Sequence, residues 1–323
     1  MIRLAILDDY AGLVRALPHW ARLDGAALVE SFADTLGDEA ALARRLEPFD
    51  VVVGIRERTR WSASLLARLP RLKHIALGGR HTGQVDLAAA GARGIVVSET
   101  GGSAVNATEL TIALMTAVVR RLPQEDRAVR EGRWQTSLGV DLAGKTLGVV
   151  GLGKIGSRLA AFGAFLGMRV LATGITLTAE RAAQAGAVMV DLDTLMRDSD
   201  VVTLHLRLSD TTRGLVSARH LALMKPTAFL VNTARGPLVD EAALVAALRA
   251  RRIAGAALDV YDVEPLPRTH PLAGLDNVVL TPHVGFVTRE GYDVFFSSVV
   301  DNVEAWLAGK VPPGLVRARP SQR

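Results

Sequence analysis

The sequence has no cysteine, few aromatic residues and no long hydrophobic run. The absence of cysteine excludes disulfides, thiolate nucleophiles and zinc sites built on thiolates. No uninterrupted apolar run reaches the roughly 18 residues that a membrane-spanning helix needs, so no membrane association is predicted. Low-complexity tracts and repeats of solenoid period are also missing. The candidates for chemistry are therefore histidine, arginine and the carboxylates, and no metal site is predicted.

The composition is that of a globular protein. Of the 323 residues, 49% are hydrophobic and 22% are charged, which is enough apolar surface for about two domains with their own cores. The first nine residues are a short apolar stretch that ends in Asp8 and Asp9. This pattern predicts a buried strand rather than a secretory leader, and the expected location is the cytoplasm.

The net charge of +5 raises the question of nucleic acid as a partner. The arginines alternate with acids along the chain, as in residues 44–47, instead of forming basic blocks. This favours a solvated surface over a nucleic-acid footprint. A mild positive field would attract small organic anions, which is the class of partner that we predict.

Short aliphatic runs alternate with helical patterns over the first third of the chain. The predicted strands here are 4–7, 27–32, 51–53, 74–77 and 95–97. A long helix is predicted for 104–122, ended by Pro123, and a polar arm follows over 124–138. The arm contains Arg133 and Trp134 and is predicted to be a surface or oligomer contact. Strands this apolar favour parallel sheets that are covered on both faces.

A second alternating series begins at Lys145. Its predicted strands are 146–150, 168–172, 187–190, 200–204, 228–232, 254–259 and 278–280. The last segment, 288–307, has apolar residues at the spacing of an amphipathic helix. The pattern predicts an α/β fold with two doubly wound parallel sheets.

The strongest motif is a GxGxxG that follows the strand at 146–150. Gly151 permits the tight turn, Gly153 lets a pyrophosphate approach the backbone, and Gly156 lets the following helix pack closely on the strand. The N-terminus of that helix offers free N–H groups to phosphates. The motif therefore predicts a dinucleotide cofactor.

The choice between NAD and NADP stays open. The second strand of such a fold usually ends in an acid that binds the ribose hydroxyls of NAD, and here Gly174 occupies that position. Without the acid, discrimination against NADP should be weak. We predict that both cofactors are used, with some preference for NAD and a difference in catalytic efficiency below about a hundredfold.

Three charged side chains follow three of the later strands. Arg235 can clamp a carboxylate, His283 can exchange the alcohol proton, and Glu264 can hold the second imidazole nitrogen. Parallel strands point their carboxyl ends at one crevice, so the three are predicted to converge there with the glycine loop. Each residue alone could be structural, and the combination favours catalysis. His205 is a candidate for the adenine pocket.

At these residues the chain resembles the D-isomer-specific 2-hydroxyacid dehydrogenases. The resemblance rests on 151–156, 232–236, 259–265 and Pro282-His283. It implies that Arg235 binds the substrate, that Glu264 orients His283, and that His283 is the acid/base. The resemblance also implies that the cofactor is lined by Lys154, Ile155, Thr233, Ala234 and Asp259. Gly285, which follows His283 closely, is predicted to lie there as well.

The resemblance also implies the domain organisation. Residues 1–100 and 287–323 would form a flavodoxin-like substrate domain, and 101–286 would form the inserted Rossmann-type cofactor domain. A homodimer joined through the cofactor domain is expected, and the arm around Trp134 suits that contact. The substrate would be a small 2-keto or 2-hydroxy acid handled with D specificity.

The sequence departs from the family pattern at three places. Gly174 replaces the ribose acid, and Phe286 makes one wall of the predicted pocket bulkier. The third departure is the predicted substrate loop, whose backbone N–H groups would bind the substrate carboxylate and which carries extra cationic or polar side chains. The predicted substrate-binding residues are Gly78, Gly79, Arg80, His81, Arg56 and Arg235. The side chains of Arg80 and His81, with the nearby Arg56 and Arg58, could add charge for a second anionic group of the substrate.

Two other functions remain open at this point. Glu264 argues against formate oxidation, which needs no proton acceptor for an alcohol, whereas these residues do not exclude phosphite oxidation. A redox-sensing binding protein, similar to corepressors with the same fold, is an alternative of a different class. A turnover assay with several keto acids and both cofactors separates an enzyme from a sensor.

Overall fold

A computed structural model describes residues 1–80 and 82–316. The chain divides into two compact units. Unit 1 consists of Met1–Ser103 and the C-terminal segment that begins at Thr288, and unit 2 is the continuous stretch Ala104–Val287. The assignment of unit 1 as the substrate domain remains a prediction.

Strands and helices alternate through most of the chain. The strands are β1 (Ile2–Ile6), β2 (Ala27–Ser31), β3 (Val51–Ile55), β4 (His74–Gly78), β5 (Val96–Glu99), β6 (Thr146–Val150), β7 (Arg169–Thr173), β8 (Val188–Met189), β9 (Val201–Leu204), β10 (Phe229–Asn232), β11 (Gly255–Leu258) and β12 (Val278–Leu280). The α-helices are α1 (Glu39–Leu46), α2 (Ala63–Ala67), α3 (Leu87–Ala92), α4 (Ala104–Val119), α5 (Leu122–Arg130), α6 (Lys154–Phe165), α7 (Ala179–Gln184), α8 (Leu192–Asp198), α9 (Ala218–Leu223), α10 (Glu241–Arg249) and α11 (Arg289–Leu307).

Unit 1 is built on a five-stranded parallel sheet in the order β2-β1-β3-β4-β5. Every residue of β3 and β4 is buried, which explains why these strands read as continuous apolar runs. Helix α11 begins at the side-chain cap Thr288, whose hydroxyl accepts the N–H of Gly291, and it packs on β4. The order of strands places a topological switch between β1 and β3, where ligands bind in such sheets.

Unit 2 is built on a seven-stranded parallel sheet in the order β12-β11-β10-β9-β6-β7-β8. Here the switch lies between β6 and β9, directly beside the glycine loop that follows β6. Two apolar clusters cover the two faces of the sheet. The predicted fold class, two doubly wound parallel-sheet domains with one inserted into the other, is confirmed.

The predicted helix over 104–122 is wrong at its C-terminal end. Helix α4 stops at Val119, Arg121 takes a left-handed φ of 52°, and α5 begins at Leu122. Pro123 lies in the first turn of α5. Proline is tolerated there because the backbone N–H that it lacks would have no acceptor within the helix. The arm predicted for 124–138 is therefore helical in its first part and irregular after Arg130.

Membrane-spanning helices and metal-ligand groups are both absent from the described residues. None of the helices within 1–80 and 82–316 has the length and apolar character needed to cross a membrane. The same residues contain no group of three or more histidine, aspartate or glutamate side chains placed to hold a metal ion. His81, a predicted substrate-binding residue, lies outside the described residues.

Candidate active site

The glycine loop after β6 is shaped by close backbone approaches. Gly151 has a φ of 101°, and a Cβ there would lie 2.9 Å from the carbonyl carbon of His205. A Cβ on Gly156 would lie only 2.1 Å from the carbonyl oxygen of Gly151. Both positions therefore require glycine, one for the turn and one for the packing of α6 on the loop.

Gly153 differs from the other two glycines because it faces open space. A Cβ there would meet no heavy atom within 4 Å, and Gly153 is the N-cap of α6 without a side-chain cap. The first N–H groups of α6 are thus not bound by a capping side chain, and Lys154 stands exposed in the first turn. This arrangement fits the pyrophosphate of a dinucleotide, with Gly153, Lys154 and Ile155 as the groups that would hold it.

Gly174 follows the last residue of β7. Its Cβ would be 3.4 Å from Cβ of Leu177 and 3.8 Å from Cα of Gly151, which are ordinary contacts. An acid would therefore fit here, and the sequence does not provide one.

His205, the candidate for the adenine pocket, follows β9. Its backbone N–H donates to the carbonyl oxygen of Val150, and its Nε2 lies 2.9 Å from Oγ1 of Thr203. Burial lowers the pKa of this imidazole to about 3, so the ring is neutral at physiological pH. A neutral ring can line an adenine pocket without a charge.

Arg235 lies in a turn after β10 that Asn232 organises. The side-chain amide of Asn232 donates to the carbonyl oxygen of Arg235 at 2.8 Å, and its oxygen accepts the N–H of Ala234 at 3.0 Å. Thr233, in the same turn, has its hydroxyl 2.7 Å from that of Thr111 on α4. Asn232 begins the 232–236 motif, which predicts no role for its side chain, and the structure shows that it fixes the turn.

Glu264 and His283 form a direct pair. Oε2 of the glutamate lies 2.6 Å from Nδ1 of the imidazole, and Oε1 accepts the N–H of Tyr261 at 3.0 Å. The side chains are only 22% and 11% exposed. Because Nδ1 is bound to the carboxylate, Nε2 is the ring nitrogen left for a substrate.

Asp259 holds the loop that carries His283. Its two oxygens accept the Thr281 hydroxyl at 2.6 Å and the backbone N–H groups of Val284 and Gly285 at 2.8 and 2.9 Å. The residue is fully buried, and this burial raises the pKa of its carboxyl above the usual value. Asp259 is predicted to line the cofactor, and its side-chain oxygens are engaged with the backbone after β12.

Tyr261 connects two of the site loops and was missed by sequence reasoning. Its hydroxyl donates to the carbonyl oxygens of Leu258 at 3.1 Å and Thr281 at 2.9 Å. Burial raises the pKa of this phenol, which keeps it protonated as a donor. Sequence alone gave no signal for this contact, because both acceptors are main-chain atoms.

Phe286 is buried and packs edge-on against the imidazole of His283, with 6.0 Å between the ring centroids. This is a favourable aromatic geometry. The predicted bulky wall therefore lies directly beside the candidate acid/base.

Unit 1 places its predicted substrate residues at the carboxyl edge of its own sheet. Arg56 follows β3, Gly78 ends β4, and these neighbouring strands pair in parallel. The N–H of Gly79 is bound to Oγ1 of Thr100 at 2.8 Å, and Arg80 is exposed. The backbone N–H of Gly79 is therefore engaged in a hydrogen bond within the protein.

Arg58 is also anchored at this edge of unit 1. Its guanidinium donates to the carbonyl oxygen of Asp8 at 3.2 Å and stacks over the ring of Tyr10 at 4.7 Å. The Asp8 carboxyl accepts the Thr35 hydroxyl, and burial raises its pKa. The edge therefore carries one cation that is held in place, Arg58, beside a carboxyl whose charge burial disfavours.

Comparison with known proteins identifies the family. A model described as the NAD binding domain of D-isomer specific 2-hydroxyacid dehydrogenases matches residues 112–285. Glyoxylate reductase of Aeropyrum pernix is 43% identical over 267 residues, which cover 80% of this chain and 80% of the relative. The chain belongs to the D-isomer specific 2-hydroxyacid dehydrogenase family. The resemblance stated from the sequence is confirmed.

Two further relatives define the extent of the match. D-3-phosphoglycerate dehydrogenase of Archaeoglobus fulgidus is 42% identical over 252 residues, which cover 77% of this chain. The match spans only 48% of that relative, or about half its length. The crystal structure of phosphoglycerate oxidoreductase from Vibrio cholerae has a TM-score of 0.91 and 40% identity, covering 96% of this chain and all of its own. Because the family model matches residues 112–285, which lie within unit 2, unit 2 contains a NAD-binding domain.

Proposed function

We propose that this 2-hydroxyacid dehydrogenase interconverts a small 2-keto acid and the D-2-hydroxy acid. The observation that carries the proposal is the pair of Glu264 and His283, 2.6 Å apart at the carboxyl ends of β11 and β12. The same sheet presents the open N-terminus of α6 at the end of β6. An acid/base pair and a dinucleotide loop at one sheet edge are the parts that hydride transfer needs.

The proton step belongs to His283. In reduction, its Nε2–H donates a proton to the carbonyl oxygen of the keto acid, while Nδ1–H stays bound to Glu264. The carboxylate stabilises the protonated ring before the transfer and keeps its orientation afterwards. A bound reduced nicotinamide supplies the hydride that C2 receives. Oxidation runs the same transfers in reverse.

Anion binding belongs to arginine. The guanidinium of Arg235 presents a planar fork that matches a carboxylate, and Asn232 fixes the turn behind it. In unit 1 we assign substrate binding to Arg56, Gly78 and Arg80. These are groups at the carboxyl edge of a second doubly wound sheet.

The proposal includes both nicotinamide cofactors. The absence of an acid at Gly174 removes a contact to the NAD ribose and the repulsion of a 2′-phosphate at the same time. NAD and NADP should therefore both support turnover, within about a hundredfold in kcat/KM, which corresponds to roughly 2.7 kcal/mol.

The proposal also includes a homodimer through the arm after α5. Trp134 is 77% exposed and Leu138 is 93% exposed, although both are large apolar side chains. Large apolar side chains that are exposed on one short segment are typical of a contact surface. Sedimentation analysis should find a dimer for the wild-type chain and a monomer for Trp134→Ser with Leu138→Ser. A dimer that persists in the double variant would contradict this assignment.

The reaction is tested by turnover with a panel of acids. Glyoxylate, hydroxypyruvate and phenylpyruvate are incubated with NADH and with NADPH. The enantiomers of the products from hydroxypyruvate and phenylpyruvate are resolved, since the product from glyoxylate is achiral. Reduction with D products is expected, and the similarity to a glyoxylate reductase makes glyoxylate a natural first substrate. Cofactor binding without turnover of any acid would favour a sensing protein, and L products would contradict the proposed geometry.

A further inference from the structure

The loop after β11, which carries Glu264, is held by two carboxylates. The backbone N–H of Tyr261 donates to Oε1 of Glu264 itself at 3.0 Å. The N–H of the next residue, Asp262, donates to Oε2 of Glu241 at 3.2 Å. Consecutive N–H groups of this loop are therefore bound by different glutamates. One of the two is the partner of the candidate acid/base, and the other comes from a different element of unit 2.

Glu241 reaches the loop from a well-anchored helix. It is the first residue of α10, and the side chain of the N-cap Asp240 accepts the N–H of Ala243 at 3.0 Å. The Glu241 side chain is only 18% exposed, so it is largely shielded from solvent. The helix is fixed on the core of unit 2 by four buried residues, which are Leu244, Val245, Ala247 and Leu248.

His270 binds the second oxygen of Glu241. Its Nε2 lies 3.1 Å from Oε1 of the glutamate, and its Nδ1 accepts the backbone N–H of Leu272 at 3.3 Å. Because an Nδ1 that accepts a hydrogen bond carries no proton, the neutral ring has its proton on Nε2 and donates it to the carboxylate. His270 is thus the N-cap of the short helix Pro271–Gly274 and also the group that orients Glu241.

The same stretch of loop lies against the turn that carries Arg235. A Cβ on Gly236 would lie 2.7 Å from the backbone nitrogen of Asp262 and 2.1 Å from the carbonyl carbon of Tyr261. The peptide bound by Glu241 is therefore in close contact with a second loop of the candidate active site. A loss of that hydrogen bond would loosen the backbone next to both loops.

We propose that Glu241 and His270 form a positioning pair that keeps Glu264 aligned with His283. This rests on the proposed function, because the alignment matters for turnover only if His283 exchanges the substrate proton. The Glu264–His283 hydrogen bond is 2.6 Å long, and hydrogen bonds weaken steeply when their geometry is disturbed. The positioning pair acts on Glu264 through the two consecutive backbone N–H groups of its loop.

A double-mutant cycle tests whether Glu241 acts through Glu264. The wild type, Glu241→Ala, Glu264→Gln and the double variant are compared in keto-acid reduction and, on the same samples, in the Kd of NADH. Glu241→Ala should lower kcat about tenfold and change the Kd of NADH less than threefold. In the Glu264→Gln background the same substitution should change kcat less than twofold, because the carboxylate that it positions is already absent.

The matched control is Glu180→Ala, at an exposed glutamate in the first turn of α7. It should change neither quantity more than twofold. If Glu264→Gln lowers kcat but Glu241→Ala does not, or if Glu241→Ala costs the same factor in both backgrounds, the positioning pair is wrong and the proposed function stands. If the wild type reduces no keto acid, the proposed function fails and the positioning pair fails with it.

Two substitutions at His270 separate positioning from capping. The side-chain oxygen of asparagine can replace Nδ1 at the N-cap, whereas the amide of glutamine can replace Nε2 as the donor to Glu241. His270→Gln should therefore keep kcat within threefold of the wild type, and His270→Asn should lower it about as much as Glu241→Ala. In urea unfolding, His270→Asn should be the more stable of the two. The reverse order in kcat would mean that His270 only caps the helix and would overturn its role in the positioning pair.

Discussion

At the scale of single residues, Arg235 is the proposed binding group for the substrate anion. Its turn is fixed by Asn232, so the guanidinium is presented from a rigid backbone. Arg235→Lys keeps the charge but loses the fork, and kcat/KM for a keto acid should fall at least a hundredfold. The Kd of the reduced cofactor should change less than threefold. Steady-state kinetics and cofactor titration on the same preparation measure the two effects.

The matched control for this substitution is Arg249→Lys, at an exposed arginine in the last turn of α10. It should leave both quantities unchanged. Wild-type kinetics in Arg235→Lys would mean that Arg235 has only a structural role.

Sequence reasoning at this scale located the charged side chains and the pairing of Glu264 with His283, but not the residues that anchor their loops. The side chains of Arg235, Glu264 and His283 were identifiable because a charged residue that follows an apolar parallel strand lies at a predictable edge of the sheet. The roles of Asp259 and Tyr261 were not, since their hydrogen bonds go to main-chain atoms of loops whose paths depend on tertiary packing. A buried Asp between strand and loop is compatible with either a cofactor contact or a loop anchor.

At the scale of elements, the loops after β10 and β11 touch at Gly236. A Cβ there would lie 2.1 Å from the carbonyl carbon of Tyr261 and 2.2 Å from its oxygen. In Gly236→Ala, the added Cβ must therefore displace the backbone at Tyr261. The displacement lies next to both Arg235 and the loop of Glu264. The free energy of unfolding should fall by about 1–3 kcal/mol. We also expect kcat/KM to fall at least tenfold, as measured by urea unfolding and keto-acid reduction.

Gly274→Ala provides the comparison within unit 2. A Cβ at Gly274 would meet nothing within 4 Å, and its backbone does not have a positive φ. Its stability and activity should stay close to those of the wild type. Equal effects of the two substitutions would show that the close approach at Gly236 does not matter.

Element boundaries were predictable where periodicity and capping agree. The strands of both sheets were located to within about two residues, because buried parallel strands are continuous apolar runs. The break between α4 and α5 was not predicted. It depends on Arg121 in a left-handed conformation, which a sequence pattern does not reveal, and Pro123 is equally compatible with a helix end and a first turn.

At the scale of the whole molecule, buried histidines couple folding to pH. In unit 1, His74 is fully buried, with Nε2 2.8 Å from Oγ of Ser98 and its ring 5.5 Å from that of Trp306. Burial lowers the pKa of His74 to about 4, and the pKa of His205 in unit 2 is lowered in the same way. Each unit therefore contains a histidine that must stay neutral while it is folded.

The sign of the pH effect follows from the unfolded chain, in which histidine titrates near 6.5. Below that pH the unfolded state binds a proton that folded His74 excludes, so the free energy of unfolding falls between about pH 6.5 and 4. The loss from His74 is on the order of 3 kcal/mol over the whole window, and above pH 6.5 the residue contributes no pH dependence. The free energy of unfolding is measured with urea at several values over pH 5–7. Its slope against pH should be shallower for His74→Asn than for the wild type. An unchanged slope would contradict this account.

The central claim is that His283 exchanges the substrate proton while the cofactor is bound elsewhere in unit 2. The most direct measurement compares wild type and His283→Ala in keto-acid turnover and, on the same samples, in the Kd of NADH. Positioned acid/base groups contribute about 10²–10⁴ in rate. The account predicts that turnover falls at least a hundredfold in His283→Ala while the Kd of NADH changes less than threefold. Turnover in His283→Ala within a few fold of wild type would contradict the claim.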